Sequence, residues 1–510
     1  MKYHVVSRPS FRRRLVSITV LAVCLLLLVH VWGIEAFVVP TGSMAPALAG
    51  HHREGVCPRC GFHVLVGRHP DDKNGKAGAN CNRNAGCPNC GYGPLLLGSI
   101  PEAKGDQILV NKNMFLFRRP RRWEIIVFRL FGKVFVKRVV GLPGEWFVIE
   151  DGDVYINQAL ARKTLEEFKQ VRILVFDNNF QPRHDGWQKR WEFKSGSSQS
   201  PENLLAEEAD GLPFVGLTEE TEDSTRHSPL TTHQVGKDLF LQTDDSPEYY
   251  RWLTYCNYSL DQGKVLPLRD EYAYNGGTHR GMEAVHDFML ECDVEVLKGS
   301  GQVSLAITDG HDALLAEIPA GAEGNVRLSR GPAGIFPPEE SRVRWRRSGE
   351  SSQDLDFSPP PTHPTGLRPG RTYHLELAFV DRRVTMEVDG EAAMDPVDLP
   401  PAGKRSEVCR PIAVGGRGIN VVFRNVRLYR DIHYTQAGKQ GVRGQVVRLG
   451  PDQYFVMGDN SPNSEDSRYW PNQGAVPECN LVGKPFLIHW PSRVVQQFQI
   501  PDWSRLRWLR

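Results

Sequence analysis

Three things are scarce in this chain of 510 residues. No excess of one charge exists, because Lys plus Arg total 62 and Asp plus Glu total 60, for a net charge of +2. That balance excludes a nucleic-acid binder held by bulk charge. Cysteine is sparse: ten residues are too few for a disulfide scaffold of this size, although four of them sit in two tight pairs. Long apolar runs are rarer still. Only Leu15 to Trp32 runs for 18 residues without a formal charge, so one membrane crossing is expected. The length itself allows two or three domains.

Residues 1–14 contain Lys2, Arg8, Arg12, Arg13 and Arg14 and no acidic residue. A cleaved secretory signal shares this order of basic and apolar regions. Such a signal should end in a small-x-small site, and Trp32, Ile34, Glu35 and Phe37 fit one poorly. An uncleaved anchor over 15–34 is therefore expected, with a cytoplasmic basic tail over 1–14 and the rest of the chain outside.

Directly after this run comes Val38-Val39-Pro40-Thr41-Gly42-Ser43-Met44-Ala45-Pro46-Ala47-Leu48, a serine in a turn where a membrane meets water. A neutral hydroxyl is a poor nucleophile near pH 7 and needs a base. Lys137, in Phe135-Val136-Lys137-Arg138-Val139-Val140-Gly141-Leu142-Pro143-Gly144, is the best candidate. A lysine works as a base only when its pKa falls several units from about 10.4, which burial achieves. Val134, Phe135, Val136, Val139 and Val140 are the expected walls, and Lys133 is a rival that lacks the following turn. A third stretch, Met457-Gly458-Asp459-Asn460 through Asp466-Ser467-Arg468-Tyr469-Trp470, is rich in groups that can hold a base by hydrogen bonds. Taken singly, these are an ordinary turn, a solvated lysine and a polar loop.

Together the three stretches resemble type I signal peptidases, the serine–lysine family, over about residues 1–157 and 440–490. The resemblance implies that Ser43 is the nucleophile and Lys137 the general base. It implies that the Thr41 hydroxyl and the Ser43 N–H are the oxyanion donors, that Ser464 orients Lys137, and that Asp466 and Arg468 form a supporting ion pair. Gly105-Asp106-Gln107-Ile108-Leu109-Val110-Asn111-Lys112 resembles the family's second box, a core strand without chemistry. Trp123-Glu124 stands where Gly-Asp is usual, Glu145 where Asp is commoner and Ala47 where Thr is usual, departures expected to touch packing alone. The implied activity is a membrane-anchored endopeptidase cutting signal peptides after small-x-small sites, with no cofactor for catalysis. Its implied place is the inner membrane, its partners signal peptides, lipid and the export machinery, and not nucleic acid.

Two insertions interrupt the resemblance. Cys57-Pro58-Arg59-Cys60-Gly61 and Cys87-Pro88-Asn89-Cys90-Gly91, within residues 55–93, match a zinc ribbon with four thiolate ligands, while a pair of disulfides is the competing reading outside the membrane. Cys81, His51, His52 and His63 are poorer ligands. The second insertion spans 158–438. It has an acidic stretch over 196–225, strand signals at 288–296, 302–308, 373–380, 383–388 and 419–429, and a proline-broken loop near 340–372. These suggest a sandwich over about 230–435, similar to concanavalin/laminin-G jelly rolls. Tyr249, Tyr250, Trp252 and Tyr255 could stack on carbohydrate or fill a core.

The expected fold is thus mainly β: a peptidase-type core over 35–157 and 439–510, a transmembrane helix, a ribbon and an inserted sandwich. Two other functions fit parts of the chain. One is a catalytically silent envelope-binding protein whose insert binds carbohydrate or protein. The other is a self-cleaving repressor of the same serine–lysine type, against which the apolar span and the lack of a helix-turn-helix count.

Overall fold

The computed structural model describes residues 15–16, 18–21, 23, 33–68, 85–95, 97, 100–182, 190–195, 233–235, 237–243, 250–259, 263–276, 282–334, 336–337, 366–495 and 498–509. Most of the span 15–34, the stretch 196–225, most of 340–372, and Cys81 and Tyr249 lie outside the described residues. Among the described residues no helix is long and apolar enough to cross a membrane.

The peptidase-like part is an antiparallel sheet of eight strands. Its order is Ile34–Val38, Gln107–Asn111, Leu481–Trp490, Ile125–Leu130, Lys133–Gly141, Gln453–Met457 and Val476–Pro477, with Arg507–Trp508 pairing onto Leu481–Trp490. The alternating pattern of Gln107–Asn111 explains its place: Ile108 and Val110 are buried in one core with Val39, Met44 and Leu48. The second box is thus a core strand, as expected. A smaller sheet of four strands, Val447–Arg448, Trp146–Glu150, Asp153–Ile156 and Ala159–Leu160, follows the Gly-x-Pro-Gly turn.

The second insertion builds a sheet of 13 strands around the largest apolar core. The expected strands at 288–296 and 302–308 are one long strand, Phe288–Thr308. Its first half pairs with Thr372–Val380 and its second half with Asp312–Ala320, while Ile412–Arg430 runs beside both halves. Register shifts near Val296 and Gly299 let the long pair bend, so Leu290 and Leu305 enter the same core. Trp252, Tyr250 and Tyr255 are buried, Tyr255 among the apolar residues of that core. They present no stacking face, because each ring is worth more removed from water than exposed to it.

The two parts share a core. Phe147 and Ile149 from the smaller sheet, and Trp123 from the turn before Ile125–Leu130, pack with Phe168, Met289 and Ile432 from the insertion. Phe168 lies on a helix, Leu165–Val171, that starts in a capping box of Thr164 and Glu167. The departure at Trp123 belongs to this junction: the residue takes φ 68 and its ring lies 4.4 Å from Lys163 Nζ. A left-handed φ costs a non-glycine on the order of 1–2 kcal/mol, which burial of an indole offsets.

Candidate active site

The serine sits where the edge strand Ile34–Val38 gives way to a single turn of 3-10 helix, Gly42–Met44. Buried apolar side chains of Met44, Ala45 and Leu48 pin the turn to the sheet. Asp106 of the second box contributes more than core: its carboxylate accepts from Ala49 N at 2.8 Å and from Arg505 at 2.7 Å. From the far end of the chain, Asn460 binds the serine turn twice. Its N–H donates to the Ser43 carbonyl at 3.1 Å and its Nδ2 donates to the Gly42 carbonyl at 3.0 Å. Thr41 Oγ1 lies 3.4 Å from Ser43 Oγ.

Lys137 lies on Lys133–Gly141, opposite Ile126. Its Nζ is 2.6 Å from Ser43 Oγ and 3.1 Å from Ser464 Oγ. Only part of the expected apolar wall faces it. Strand alternation puts Phe135 and Val139 on its side of the sheet, in the cluster of Ile126, Phe128 and Val456. Val136 and Val140 belong to other clusters and Val134 is exposed. Lys133 is exposed at the strand's start, away from the serine. Burial drives the Lys137 pKa down to about 8, opposed by Asp466 and assisted by Arg468.

The loop from Gly458 to Arg468 closes the site. Gly458 allows a close pass, since a Cβ there would lie 2.3 Å from both the Ser43 carbonyl oxygen and Ser464 Oγ. The Asp466 carboxylate accepts from Arg468 Nε and Nη2, both at 2.9 Å, and from Gly458 N at 3.1 Å. Arg468 also donates to the Ser461 carbonyl at 2.8 Å and the Thr435 carbonyl at 3.1 Å, which anchors the loop from within. Arg138, which alternation aims away from Lys137, forms a buried pair with Asp459 at 2.7 and 2.6 Å. Sequence reasoning gave Asp106, Asp459 and Asn460 no role. Their one signal was position, inside or beside the recognised stretches.

The four cysteines Cys57, Cys60, Cys87 and Cys90 converge, with their sulfurs all within 4.8 Å of one another. Cys57 Sγ is 3.7 Å from Cys90 Sγ and Cys60 Sγ is 3.6 Å from Cys87 Sγ. A tetrahedron with Zn–S of about 2.3 Å has edges of about 3.8 Å, whereas a disulfide needs about 2.05 Å. The donor set therefore fits a structural metal held by these four thiolates. His51 and His63 turn to Glu102 and Glu54, and His52 Nδ1 to the Gly50 carbonyl. Glu291, His374 and Glu376 also cluster, but Arg172, Lys169 and Arg427 already neutralise the two glutamates.

The family model "Signal peptidase, peptidase S26" matches residues 101–206 and 405–490, under half of the chain. Lys137, Ser464, Asp466 and Arg468 fall inside the matched residues and Ser43 lies ahead of them. Signal peptidase I of Haemophilus influenzae is 43% identical over 73 residues, 14% of this chain and 19% of that protein. Signal peptidase I of Buchnera aphidicola is 51% identical over 84 residues, 16% of this chain and 24% of that protein. The chain thus spans about a fifth to a quarter of these two relatives. Among solved structures, a Bacillus subtilis carbohydrate binding module overlaps 37% of this chain and 85% of its own at 14% identity, with a TM-score of 0.21. The chain is similar to type I signal peptidases, a likeness in short stretches, with residues 207–404 outside the family match.

Proposed function

We propose that this chain is a membrane-anchored serine endopeptidase that removes signal peptides after small-x-small sites. One observation carries the proposal: Lys137 Nζ stands 2.6 Å from Ser43 Oγ in a site that drives its pKa down to about 8. The neutral amine accepts the Ser43 hydroxyl proton as Oγ bonds to the scissile carbonyl carbon. The carbonyl electrons move onto oxygen, where the Ser43 N–H and the Thr41 hydroxyl would meet the charge. Collapse expels the new amino terminus of the mature protein, which takes the proton from the Lys137 ammonium. Water then attacks the Ser43 ester as Lys137 takes its proton; collapse returns that proton to Ser43 Oγ and releases the signal peptide as an acid that ionises in water. Ser464 Oγ, at 3.1 Å, holds the amine toward the serine.

A place for an extended substrate lies beside this dyad. Among the described residues the strand Lys133–Gly141 pairs with Gln453–Met457 only from Arg138 onward. Lys133 to Lys137 thus have a partner on one side alone, Ile125–Leu130. A peptide can add along such an edge with main-chain hydrogen bonds. The serine follows the apolar span closely, so an anchor at 15–34 in the inner membrane would hold the site at the outer surface. There the apolar part of a signal peptide stays in lipid while its cleavage site emerges from the export machinery. No observation at the site favours the silent alternative.

The test is cleavage of a purified preprotein in detergent by wild type, Ser43→Ala and Lys137→Ala. Wild type is expected to cut after a small-x-small site, and each variant to lose at least about 10³-fold in rate. A wild-type protein inert on several preproteins overturns the proposal.

A further inference from the structure

The second insertion does not end at the shared core. It sends the segment 270–276 back to the serine turn, although 94 residues separate Ser43 from Lys137 and the insertion begins only after both. Arg430 holds this segment from below, donating to the Glu271 carbonyl at 3.0 Å and stacking 4.7 Å from the Tyr272 ring centre. Three side chains then point at the catalytic loops. Tyr272 O–H donates to the Asp459 carbonyl at 2.8 Å. Tyr274 lays its ring against Gly42 and donates its O–H to the His51 carbonyl at 3.1 Å. Asn275 faces Asn460.

The fit at Gly42 is tight. A Cβ on Gly42 would lie 2.2 Å from Tyr274 Cε1, and a Cβ on Gly67 of the ribbon would lie 2.2 Å from the same atom. The ring is therefore wedged between the serine turn and the ribbon strand His63–Gly67. The ribbon in turn is tied to the insertion. Asn89 accepts from Asp177 N at 2.7 Å and donates to the Phe180 carbonyl at 2.9 Å, and Phe62 meets Phe180 edge to face at 5.2 Å. Both insertions thus converge on one turn.

Asn275 is the most specific contact. Asn275 Nδ2 donates to Asn460 Oδ1 at 2.8 Å, and Asn460 Nδ2 donates back to Asn275 Oδ1 at 2.6 Å. A side-chain amide turns freely about its last bond unless its partners distinguish oxygen from nitrogen. The reciprocal pair makes that distinction. It leaves the second Asn460 N–H aimed at the Gly42 carbonyl, 3.0 Å away, one residue from the nucleophile.

From this geometry we infer that Asn275, with Tyr274, is a positioning residue for Ser43: the inserted domain is a working part of the active site. The inference rests on the serine–lysine endopeptidase reading. Small displacements of a nucleophile are costly, since an error of about 1 Å can lose about 10²-fold in rate. Asn275→Ala frees the Asn460 amide and lets the turn wander, so kcat is expected to fall about tenfold with KM nearly unchanged. The acid-side midpoint of the kcat profile should stay put, because Lys137 keeps its own surroundings.

The experiment measures kcat, KM and the pH profile for preprotein cleavage by the full chain in detergent. It compares wild type with Asn275→Ala, Asn460→Ala, the double variant, Tyr274→Phe and Tyr274→Ala. The Asn275 and Asn460 losses should not add, because both variants break one pair. Tyr274→Phe should retain most of the rate, keeping the wedge and losing a hydroxyl, while Tyr274→Ala should lose it. Undiminished kcat in Asn275→Ala, or fully additive losses in the double variant, overturns the inference while wild type still cuts. A shifted acid-side midpoint overturns it too, since that marks a general loosening that wets Lys137. A wild-type chain that cuts no preprotein defeats the endopeptidase reading, and the inference with it.

Discussion

Lys137 and Lys163 are both buried, 3% and 6% exposed, and they respond to burial in opposite ways. Among the described residues the Lys137 amine hydrogen-bonds to two hydroxyls, those of Ser43 and Ser464, and its pKa falls to about 8. Lys163, at the junction with the insertion, is also pushed down by burial. Asp381 and Asp431 outweigh that push and hold its ammonium well above the usual lysine range. Its Nζ lies 3.0 Å from Asp381 and 2.6 Å from Asp431, with the Trp123 ring beside it. Depth therefore does not make a lysine a base. What matters is whether a carboxylate reaches the amine. Two buried carboxylates act on Lys137, those of Asp466 and Asp459, and each is held by an arginine: Arg468 occupies both oxygens of Asp466 at 2.9 Å, and Arg138 both oxygens of Asp459 at 2.7 and 2.6 Å. The ion pair expected to support the loop thus also keeps Lys137 from acquiring a salt-bridge partner.

Replacing each lysine by methionine gives the sharpest contrast. Lys137→Met should lose at least about 10³-fold in cleavage rate yet remain folded. Its effect on stability follows from the lowered pKa. Below about pH 8 both folded and unfolded wild type carry the proton, and the folded state bears the full desolvation cost. The methionine variant should therefore melt above wild type at pH 6. Its advantage should shrink between pH 8 and about 10.4, where only the folded wild type has lost the proton. Lys163→Met should do the reverse, costing about 3–5 kcal/mol by stranding buried carboxylates, with activity per folded molecule retained. Its pKa is raised, so the contribution of Lys163 persists at every pH below about 10.4 and fades only on strongly alkaline titration. Thermal melts across pH check both. Equal losses of stability in the two variants would break the comparison.

A smaller effect is expected on converting one environment toward the other. Arg468→Met frees Asp466 to act on Lys137, so the acid-side midpoint of kcat, near pH 8 in wild type, should rise by about one unit. At pH 7 the rate should then fall about tenfold, measured on variant that retains native circular dichroism. An unmoved midpoint would mean that Asp466 does not sense the lysine. Smallest is Ser464→Ala, which removes one hydrogen bond to the amine and should lower kcat about tenfold or less at its optimum.

The stretches around Ser43, Lys137 and Ser464 were legible because each is continuous and carries its own turn chemistry. The strand of Lys137 was legible too, but its walls were over-read: five apolar neighbours were expected to enclose the amine, and period two turns Val136 and Val140 to other clusters. The strand signals at 288–296 and 302–308 belong to one strand, because the pairing with Ile412–Arg430 carries it past Gly299 and Gly301 through a bend. Tyr249, Tyr250, Trp252 and Tyr255 read first as core or domain-interface aromatics and second as a sugar-stacking surface, since side-chain type alone does not say which face a domain covers. Asn275 was illegible. Nothing in Tyr272-Ala273-Tyr274-Asn275 signals a partner 185 residues away.

By itself the sequence determined which atoms are available: a hydroxyl in a turn, an amine on a strand, four thiols in two knuckles, and a balance of charge that excludes bulk attraction to nucleic acid. These follow from residue type and from spacing over a few positions, where backbone periodicity and turn preference act. The tertiary structure alone decided which amine loses its proton readily and what holds the Ser43 turn. A pKa depends on the removal of water from every side and on the nearest unpaired charge. Around Lys137 those sides come from residues near 43, 126, 137 and 464, and for the serine turn also from 274 and 460, so no single stretch could contain the answer.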